Sequence, residues 1–252
     1  MKTAVVTGGG SGIGKRSVER LMAQGWNVWA LDISTAVLEA QAAEWGDTGR
    51  FHFCACDVSS QESVRQAFSS IAKESAKIDA LICCAGVLHT GPLEQQSLEQ
   101  VDRLLDVNLK GPWLCVVQAL PLLRKNASPA DPSRVVMVGS IGGLRPKVGA
   151  GFYGASKAAL HVIAGVMAVE LGPDGVLVNV VAPGTVETPM VHNLVTASGA
   201  AYKPSGNSPL GRVASPDDVS DVIEFFLSAS ARYVNGTVLP VDGGTRAAFT
   251  KS

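Results

Sequence analysis

The sequence predicts an α/β protein in which a seven-stranded parallel sheet is covered by helices on both faces, a doubly wound architecture. Short apolar runs alternate with longer helical segments over the whole length. Most of these runs are apolar at consecutive positions, which is typical of parallel strands buried on both faces. Apolar residues make up 46% of the 252 residues and charged residues only 17%, which suits a large buried sheet.

Seven apolar runs are candidate strands, and together they predict one domain over residues 1–252. The predicted strands are Thr3–Thr7, Asn27–Asp32, Arg50–Cys56, Ala80–Cys84, Arg134–Ser140, Val176–Val181 and Thr237–Val241.

Helix starts are marked by serines that precede acidic or amide residues. Ser59-x-x-Glu62 and Ser97-x-x-Gln100 match the capping box, in which a serine and a residue three positions later satisfy each other's backbone N–H groups. Ser215 is followed by a proline and two acids, which is a typical first turn. We therefore expect helices to begin at these three places.

One long segment interrupts the alternation. Pro183–Arg212 follows the sixth predicted strand and mixes Gly, Pro, Ser and Asn with scattered apolar residues. Because α/β sheets bind ligands at the carboxyl ends of their strands, we interpret residues 185–212 as a substrate-loop insertion. A linker is the alternative.

Charge and cysteine content exclude several classes of function. The formal net charge of −1 provides no basic field for nucleic acid or an anionic membrane. We find no apolar run as long as a membrane span, and a first strand at Thr3 leaves no room for a signal peptide. None of the five cysteines has CxxC spacing, so we interpret them as buried residues of a reducing compartment. We expect a cytoplasmic protein without a bound metal.

A glycine-rich segment follows the first predicted strand directly. Thr7–Gly14 does not fit G-x-G-x-x-G, but it fits G-x-x-x-G-x-G through Gly8, Gly12 and Gly14. Glycines permit a tight turn and let the backbone approach a phosphate, and the N-terminus of the next helix favours an anion. The segment therefore predicts a Rossmann-type dinucleotide site, with a ligand-free βα loop as the alternative.

Acidic residues at two strand ends refine this prediction. Asp32 ends the second strand, 20 residues after Gly12, where a carboxylate can bind the adenosine ribose and would repel a 2′-phosphate. It favours NAD over NADP, although Lys15 and Arg16 are basic and close to the turn. Asp57 could meet the adenine or simply start a turn.

Tyr153 and Lys157 are four residues apart, which places both on one face of a helix. A nearby cation favours the phenolate form of a tyrosine. A tyrosine in such surroundings can exchange a proton with an alcohol near neutral pH.

These features occur in a fixed order together with several shorter matches. The matching stretches are Thr7–Gly14, Asp57-Val58, Ala85-Gly86, Asn108, Ser140, Tyr153-x-x-x-Lys157 and Pro183-Gly184. With them, the chain resembles the short-chain dehydrogenase/reductase family over essentially its whole length.

The resemblance implies a role for each matching residue. Tyr153 would be the catalytic acid/base, and Lys157 would lower its pKa and hold the nicotinamide ribose. Ser140 would orient the substrate oxygen, and Asn108 would support a water in the proton relay. The implied NAD-binding residues are Gly8, Ser11, Gly12, Ile13, Gly14, Asp32, Ile33, Asp57, Val58, Cys84, Ala85, Gly86, Tyr153, Lys157, Pro183, Gly184, Val186 and Thr188.

The chain departs from the family at one point. The family usually has Asn-Asn-Ala-Gly after the fourth strand, where this chain has Cys83-Cys84-Ala85-Gly86. The loss of two amides puts the side-chain bracing of that strand end in doubt. The resemblance also implies a homotetramer or homodimer, assembled through the helices near Ser97–Leu123 and Tyr153–Leu171.

The substrate is less well defined by the sequence. Several stretches, among them Pro146–Gly149 and Pro209–Arg212, are similar to 2,3-dihydro-2,3-dihydroxybenzoate dehydrogenases, which act on a cyclic diol with a carboxylate. In that subfamily a basic residue occurs where Lys147 stands, and a cation could pair with the carboxylate; a solvated loop lysine is the alternative. Residues expected to face the nicotinamide are His89, Leu144, Arg145, Lys147, Phe152, Met190 and Tyr202.

The sequence thus predicts an NAD-dependent oxidoreductase that interconverts a secondary alcohol and a ketone on a small, cyclic or acyclic substrate. Hydroxysteroids and 3-oxoacyl thioesters are alternative substrate classes. The alternative function is an NAD-binding regulatory or scaffold protein without activity, against which the intact set of Ser140, Tyr153 and Lys157 argues.

Overall fold

The computed structural model describes residues 1–46, 48–192 and 208–247. The strands are β1 (Thr3–Thr7), β2 (Asn27–Asp32), β3 (Phe51–Ala55), β4 (Ala80–Cys83), β5 (Ser133–Val138), β6 (Val176–Pro183) and β7 (Val238–Val241). The α-helices are α1 (Gly12–Ala23), α2 (Thr35–Trp45), α3 (Gln61–Glu74), α4 (Leu98–Leu105), α5 (Gly111–Leu123), α6 (Gly151–Leu171) and α7 (Pro216–Leu227).

The strands form one parallel sheet in the order β3-β2-β1-β4-β5-β6-β7. This confirms the predicted doubly wound fold. The strand order reverses between β1 and β4, where Thr7 pairs with Leu31 on one side and with Cys83 on the other. Ligands of such sheets bind at the carboxyl ends beside this reversal. The glycine turn and the Ala85-Gly86 segment both begin there.

Helices bury both faces of the sheet. On one face, Val5 and Leu81 belong to a core with residues of α3, α5 and α6. On the other face, Val6 and Ile82 belong to a core with residues of α1 and α7. Consecutive strand residues therefore point into two different apolar layers, which explains why the runs are apolar at every position rather than at alternate ones.

All seven predicted strands are present, and the largest differences in their bounds lie next to the catalytic candidates. β5 ends at Val138, two residues before the predicted end at Ser140, because Ser140 caps a short 3₁₀ turn. β6 continues to Pro183, since its last residues pair with β7.

Two of the three predicted helix starts are confirmed. Ser97 and Ser215 each form a capping box. The prediction at Ser59 is wrong, because its hydroxyl donates to Asp57 at 2.6 Å and Ser60 caps α3 instead. The carboxylate two residues earlier is the closer partner for Ser59, and the start of the helix moves on by one residue.

One expectation about membrane spans also needs correction. In the described part of the chain, the segment Gly151–Asp174 is long and apolar enough to cross a membrane by composition, with a mean hydropathy of 1.4. Its helix α6 instead packs on the sheet through residues such as Leu160 and Ala164. It also buries Ser156, Lys157 and His161, and this pattern is that of a core helix carrying polar groups.

Candidate active site

A cleft of about 900 Å³ opens at the carboxyl ends of the strands. Every residue predicted to bind the cofactor lines it, and so does Ser140. Asn108 lies behind its wall and is fully buried. We call the part around Gly8–Gly14 and Asp32 the glycine end, and the part around Ser140, Tyr153 and Lys157 the tyrosine end.

The glycine turn is packed so closely that side chains would not fit. Gly8 and Gly12 have φ of 65° and 51°, values that glycine adopts readily. A Cβ on Gly8 would lie 2.8 Å from the Ala85 nitrogen, and a Cβ on Gly14 would overlap the Gly8 carbonyl. The first turn of α1 holds no acidic residue, so its N–H groups and dipole are available to a pyrophosphate. These residues fit a dinucleotide.

Asp32 lies at the edge of this turn, with both carboxylate oxygens held by the backbone. Oδ2 accepts from Gly10 N at 3.0 Å, and Oδ1 accepts from Ser34 N at 3.1 Å. Each oxygen keeps further lone pairs for a ribose hydroxyl. The N–H groups of Gly10 and Ser34 thus fix the orientation of the Asp32 carboxylate.

The two basic residues near the turn are bound to carboxylates elsewhere. Lys15 Nζ lies 3.3 Å from Glu44, and neither Lys15 nor Arg16 lines the cleft. Arg16 binds Asp217 at 2.8 Å and Glu19 at 2.9 Å, so it joins α1 to α7. The structure therefore gives both residues partners other than a cofactor.

Asp57 lines the cleft beyond β3. Its Oδ1 accepts from Ser59 N at 2.9 Å as well as from the Ser59 hydroxyl. Burial opposes ionisation, but the bonds from Ser59 outweigh it and lower the pKa of Asp57. Arg103 of α4 contributes to this and also lines the cleft, a residue for which the sequence offers no motif.

The Cys83-Cys84 replacement leaves the strand end braced in a different way. Cys84 N donates to Thr7 O at 3.2 Å, and Ala85 N donates to the Thr7 hydroxyl at 3.3 Å. Thr7 of the neighbouring strand β1 thus braces this strand end, where the family resemblance implies two amide side chains. Burial raises the pKa of Cys83 to about 12 and also raises that of Cys84, so both thiols stay protonated.

Tyr153 and Lys157 lie one turn apart on α6, as their spacing predicts. Lys157 Nζ is 6.0 Å from the centre of the Tyr153 ring and donates to the Val138 carbonyl at 2.8 Å. Lys157 is only 5% exposed, and burial lowers its pKa to about 8. It is therefore mostly cationic at pH 7, beside the tyrosine.

Ser140 faces the same space as Tyr153. Its Oγ accepts from Gly142 N at 3.0 Å. A Cβ built on Gly142 would lie 3.3 Å from Ser140 Oγ and 3.7 Å from Tyr153 Cε1. The hydroxyl and the ring edge therefore lie close to each other, and both residues line the cleft, where a substrate oxygen could reach them.

Asn108 lies in a π-helical segment, Asp106–Lys110, between α4 and α5. Its Oδ1 accepts from Val87 N at 2.8 Å, while its Nδ2 donates to Val87 O at 2.9 Å. A Cβ on Gly86 would lie 3.3 Å from Asn108 Oδ1 and 3.7 Å from Lys157 Nζ. The amide thus fixes the backbone beside Lys157, and its part in a water relay stays a prediction.

His161 is a buried polar residue that sequence patterns did not single out. It follows Lys157 by one turn and is 9% exposed, with neither ring nitrogen bonded to any described residue. Burial, and then the Lys157 charge, lower its pKa to about 4, so the ring is neutral. A Cβ on Gly139 would overlap this ring, which therefore supports the segment carrying Ser140.

The substrate residues were predicted with mixed success. Arg145, Lys147 and Met190 line the cleft, whereas His89, Leu144 and Phe152 do not. His89 instead lines a smaller cavity of about 370 Å³ next to α4, which Val87 and Leu88 also line. Tyr202 lies outside the described residues.

The start and the end of the predicted loop are joined at its base. Val186 pairs with Ala214, and Glu187 N donates to Ala214 O at 2.9 Å. Arg212 binds Asp218 at the N-terminus of α7 through two bonds of 2.6 Å. The described start and end of the segment are therefore joined at its base, and Thr188 of the first arm lies beside Gly12.

Comparison with known proteins agrees with this geometry. A family model described as enoyl-(acyl carrier protein) reductase matches residues 8–246. The chain is 34% identical over 244 residues to cyclopentanol dehydrogenase of Comamonas testosteroni, covering 96% of each chain. It is 32% identical over 252 residues to the vibriobactin-specific 2,3-dihydro-2,3-dihydroxybenzoate dehydrogenase of Vibrio cholerae, covering 95% of this chain and 94% of the other.

The chain belongs to the short-chain dehydrogenase/reductase family. The crystal structure of levodione reductase matches it with a TM-score of 0.90 at 30% identity, covering 98% of both chains. The resemblance inferred from the residues is confirmed, and the protein is an enzyme that acts on CH–OH groups.

Short-chain dehydrogenases bind nicotinamide cofactors, but the fold does not select between them. A Brucella melitensis 3-ketoacyl-(acyl-carrier-protein) reductase complexed with NADH matches with a TM-score of 0.87 at 29% identity, covering 97% of this chain and 98% of the other. A Pseudomonas aeruginosa RhlG/NADP complex matches with a TM-score of 0.88 at 30% identity, covering 97% and 96%. The choice depends on residues of this chain.

Proposed function

We propose that this short-chain dehydrogenase is an NAD-dependent enzyme that interconverts a secondary alcohol and a ketone on a small cyclic substrate. The observation that carries the proposal is that Ser140 and Tyr153 lie side by side in one cleft, with the Lys157 ammonium 6.0 Å from the centre of the Tyr153 ring. These groups can bind one oxygen and exchange its proton.

In this proposal, each residue at the tyrosine end has one role. Ser140 holds the substrate oxygen, and Tyr153 exchanges the hydroxyl proton with it. Lys157 favours the phenolate of Tyr153, because it is an adjacent cation in a site from which water is largely excluded. When bound, the nicotinamide supplies the hydride chemistry. Asn108 keeps the Val87 backbone in place beside Lys157.

The preference for NAD is supported by charge at the glycine end. A 2′-phosphate would meet the Asp32 carboxylate, whose position is fixed by Gly10 and Ser34. Lys15 and Arg16, the two residues that could counter this repulsion, are bound to carboxylates of their own. We propose that Val186 and Thr188, which line the cleft after β6, border the nicotinamide.

The substrate class is supported by the cations near the tyrosine end. Arg145 and Lys147 both line the cleft, and the acidic residues among its described lining, Asp32 and Asp57, belong to the other end. An anionic group on the substrate would meet favourable charge there. We propose a cyclic alcohol that carries a carboxylate. The Vibrio cholerae relative, by its name, acts on a dihydroxybenzoate of this kind.

The decisive test replaces Tyr153 by phenylalanine. We expect the rate of alcohol oxidation with NAD to fall by about 10²- to 10⁴-fold, the usual contribution of general acid–base catalysis, while NADH binding is kept. Initial rates over cyclic alcohols, dihydrodiols, hydroxysteroids and hydroxyacyl thioesters, together with NADH fluorescence titration, measure both properties.

Tyr233→Phe is the matched control, because Tyr233 is 99% exposed and does not line the cleft. It should leave both properties unchanged. If the wild type binds NADH but oxidises no alcohol in the panel, the protein is a cofactor-binding regulator or scaffold and the enzymatic proposal fails.

Assembly of several copies is the remaining part of the proposal. Val162, Val166 and Val169 form a stripe along α6 in which Val162 is 68% and Val169 is 77% exposed. Trp113 and Val117 of α5 are also exposed, and α5 packs on the same face of the sheet as α6. The two helices therefore present one apolar surface. We propose that a second copy covers it in a homodimer or homotetramer of one-domain, cytoplasmic subunits. Light scattering should give a multiple of 26.1 kDa.

A further inference from the structure

The glycine turn depends on other segments for its conformation. Gly8, Gly9, Gly10 and Gly12 have no side chains to restrict their dihedral angles. The end of β2 supplies two restraints: Gly9 N donates to Leu31 O at 3.1 Å, and Gly10 N donates to Asp32 at 3.0 Å. The second of these bonds holds the Gly10 N–H.

Gln41 of α2 holds the other side of Gly10. Its Nε2 donates to the Gly10 carbonyl at 2.9 Å, and the residue is 3% exposed. The opposite assignment of the amide would place two oxygens together, so the direction of this bond is clear. Gly10 is thus bound at its nitrogen by the carboxylate of Asp32 and at its oxygen by a buried amide.

This amide is kept at a cost. Gln41 Oε1 is buried and has no hydrogen-bond partner among the described residues. An unbonded buried acceptor is destabilising. Leu38, one turn earlier on α2, shows that an apolar side chain fits this layer. The amide is thus only half satisfied: its donor binds the Gly10 carbonyl, and its buried acceptor binds nothing among the described residues.

We infer that Gln41 is a positioning residue that strengthens the preference for NAD. It does so by fixing the Gly10 peptide that orients the Asp32 carboxylate; this inference rests on the proposed NAD preference. A Cβ on Gly10 would lie 2.8 Å from Asp32 Oδ2, so the peptide and the carboxylate are in close contact. Rotation of Gly10 would release Oδ2 from its donor and change the direction in which Asp32 faces the ribose.

The test is Gln41→Met, which keeps the volume and removes the donor. We expect the dissociation constant of NADH to rise roughly fivefold, the size of effect expected for one neutral hydrogen bond. The constant for NADPH should change less than twofold, because a less rigid Asp32 also repels the 2′-phosphate less. Fluorescence titration with NADH and NADPH measures both constants directly.

Two further measurements separate positioning from general stability. Leu38→Met changes a buried neighbour on the same helix without touching Gly10, and it should leave the ratio of the two dissociation constants unchanged. The melting temperature of apo Gln41→Met should change little, since the substitution removes the unbonded Oε1 but also leaves the Gly10 carbonyl without its donor. Equal weakening of both cofactors, or a ratio within twofold of the wild type, would overturn the inference.

The wild-type titration tests the proposed function separately. If the wild type binds NADPH more tightly than NADH, the proposed NAD preference fails. A shift of the ratio in Gln41→Met alone would still show that this residue positions Asp32.

Discussion

The glycine end of the cleft is formed mainly by backbone groups, whereas the tyrosine end is formed mainly by side chains. At the glycine end, glycines permit close approach and backbone groups supply most of the bonds, as with Gly10 N to Asp32. At the tyrosine end, side chains supply the chemistry, and the most important of them, Lys157, is a buried cation. The first end depends on shape, and the second depends on charge held away from water.

This difference separates the effects of substitution at the two ends. A change at the glycine end should act on cofactor affinity and leave the proton-transferring groups intact. A change at the tyrosine end should act on turnover and on the pH dependence of stability. Three variants test this separation.

The largest effect at the glycine end is expected for Gly14→Ala. Its Cβ would overlap the Gly8 carbonyl and force the turn open. Overpacking of this kind typically costs about 1–3 kcal/mol, so we expect NADH to bind roughly 5- to 150-fold more weakly. Calorimetric titration with NADH measures the change.

Gly25→Ala is the control for a simple loss of stability. Gly25 has a φ of 85°, and no atom lies within 4 Å of the point that a Cβ would occupy. Alanine there should destabilise the fold by about 1–2 kcal/mol without changing NADH affinity. If the two variants weaken NADH binding equally, close packing of the turn is not what matters.

A smaller effect is expected for Asp32→Ala. Loss of the carboxylate should raise the KM for NAD roughly tenfold, at the lower end of the range for hydrogen bonds to charged groups, and should improve the use of NADP. The kcat should stay within about twofold, because Asp32 lies at the other end of the cleft from Tyr153. Steady-state kinetics with both cofactors gives these values.

The companion variant Glu44→Gln tests the alternative role of Lys15. It removes the charge of the carboxylate 3.3 Å from Lys15 Nζ. NADP kinetics should not change. An improvement comparable to that in Asp32→Ala would mean that Lys15 and its partner control the preference.

Local sequence predicted the fold, and it also gave the candidate residues that the structure brings together at the glycine end, because both depend on contiguous patterns. The bounds of β1 and β2 are those predicted, since apolar runs buried on both faces leave little ambiguity. The glycine turn, Asp32 and the Tyr153/Lys157 spacing are likewise local features. The wrong cap at Ser59 arose where two neighbouring serines competed for one role.

Residues brought together only by the tertiary structure were not predictable. Gln41 meets Gly10 because α2 folds back over the turn, and His161 fills a space left by Gly139 and Gly143. The one sequence signal for Gln41 or His161 is a polar residue at a position where the helix pattern calls for an apolar one. Arg103 lines the cleft from α4, and no motif in the sequence marks it.

The smallest predicted effect is on the pH dependence of stability, and it comes from Lys157 at the tyrosine end of the cleft. Burial lowers the pKa of Lys157 from 10.5 to about 8 in the folded protein. Between these values the unfolded chain binds more protons than the folded one, so this residue makes the free energy of unfolding rise with pH. From pH 7 to pH 9 the rise is about 1 kcal/mol, and the penalty for the buried charge is present in full only well below pH 8.

Lys157→Met removes this titration. The free energy of unfolding of the wild type, measured in urea relative to that of Lys157→Met, should therefore increase by about 1 kcal/mol from pH 7 to pH 9. Asp32→Ala, which leaves Lys157 in place, should show no such relative change. A flat difference for Lys157→Met would mean that water reaches the ammonium in the folded protein. The tyrosine end would then lack the low-dielectric surroundings that make its cation effective beside Tyr153.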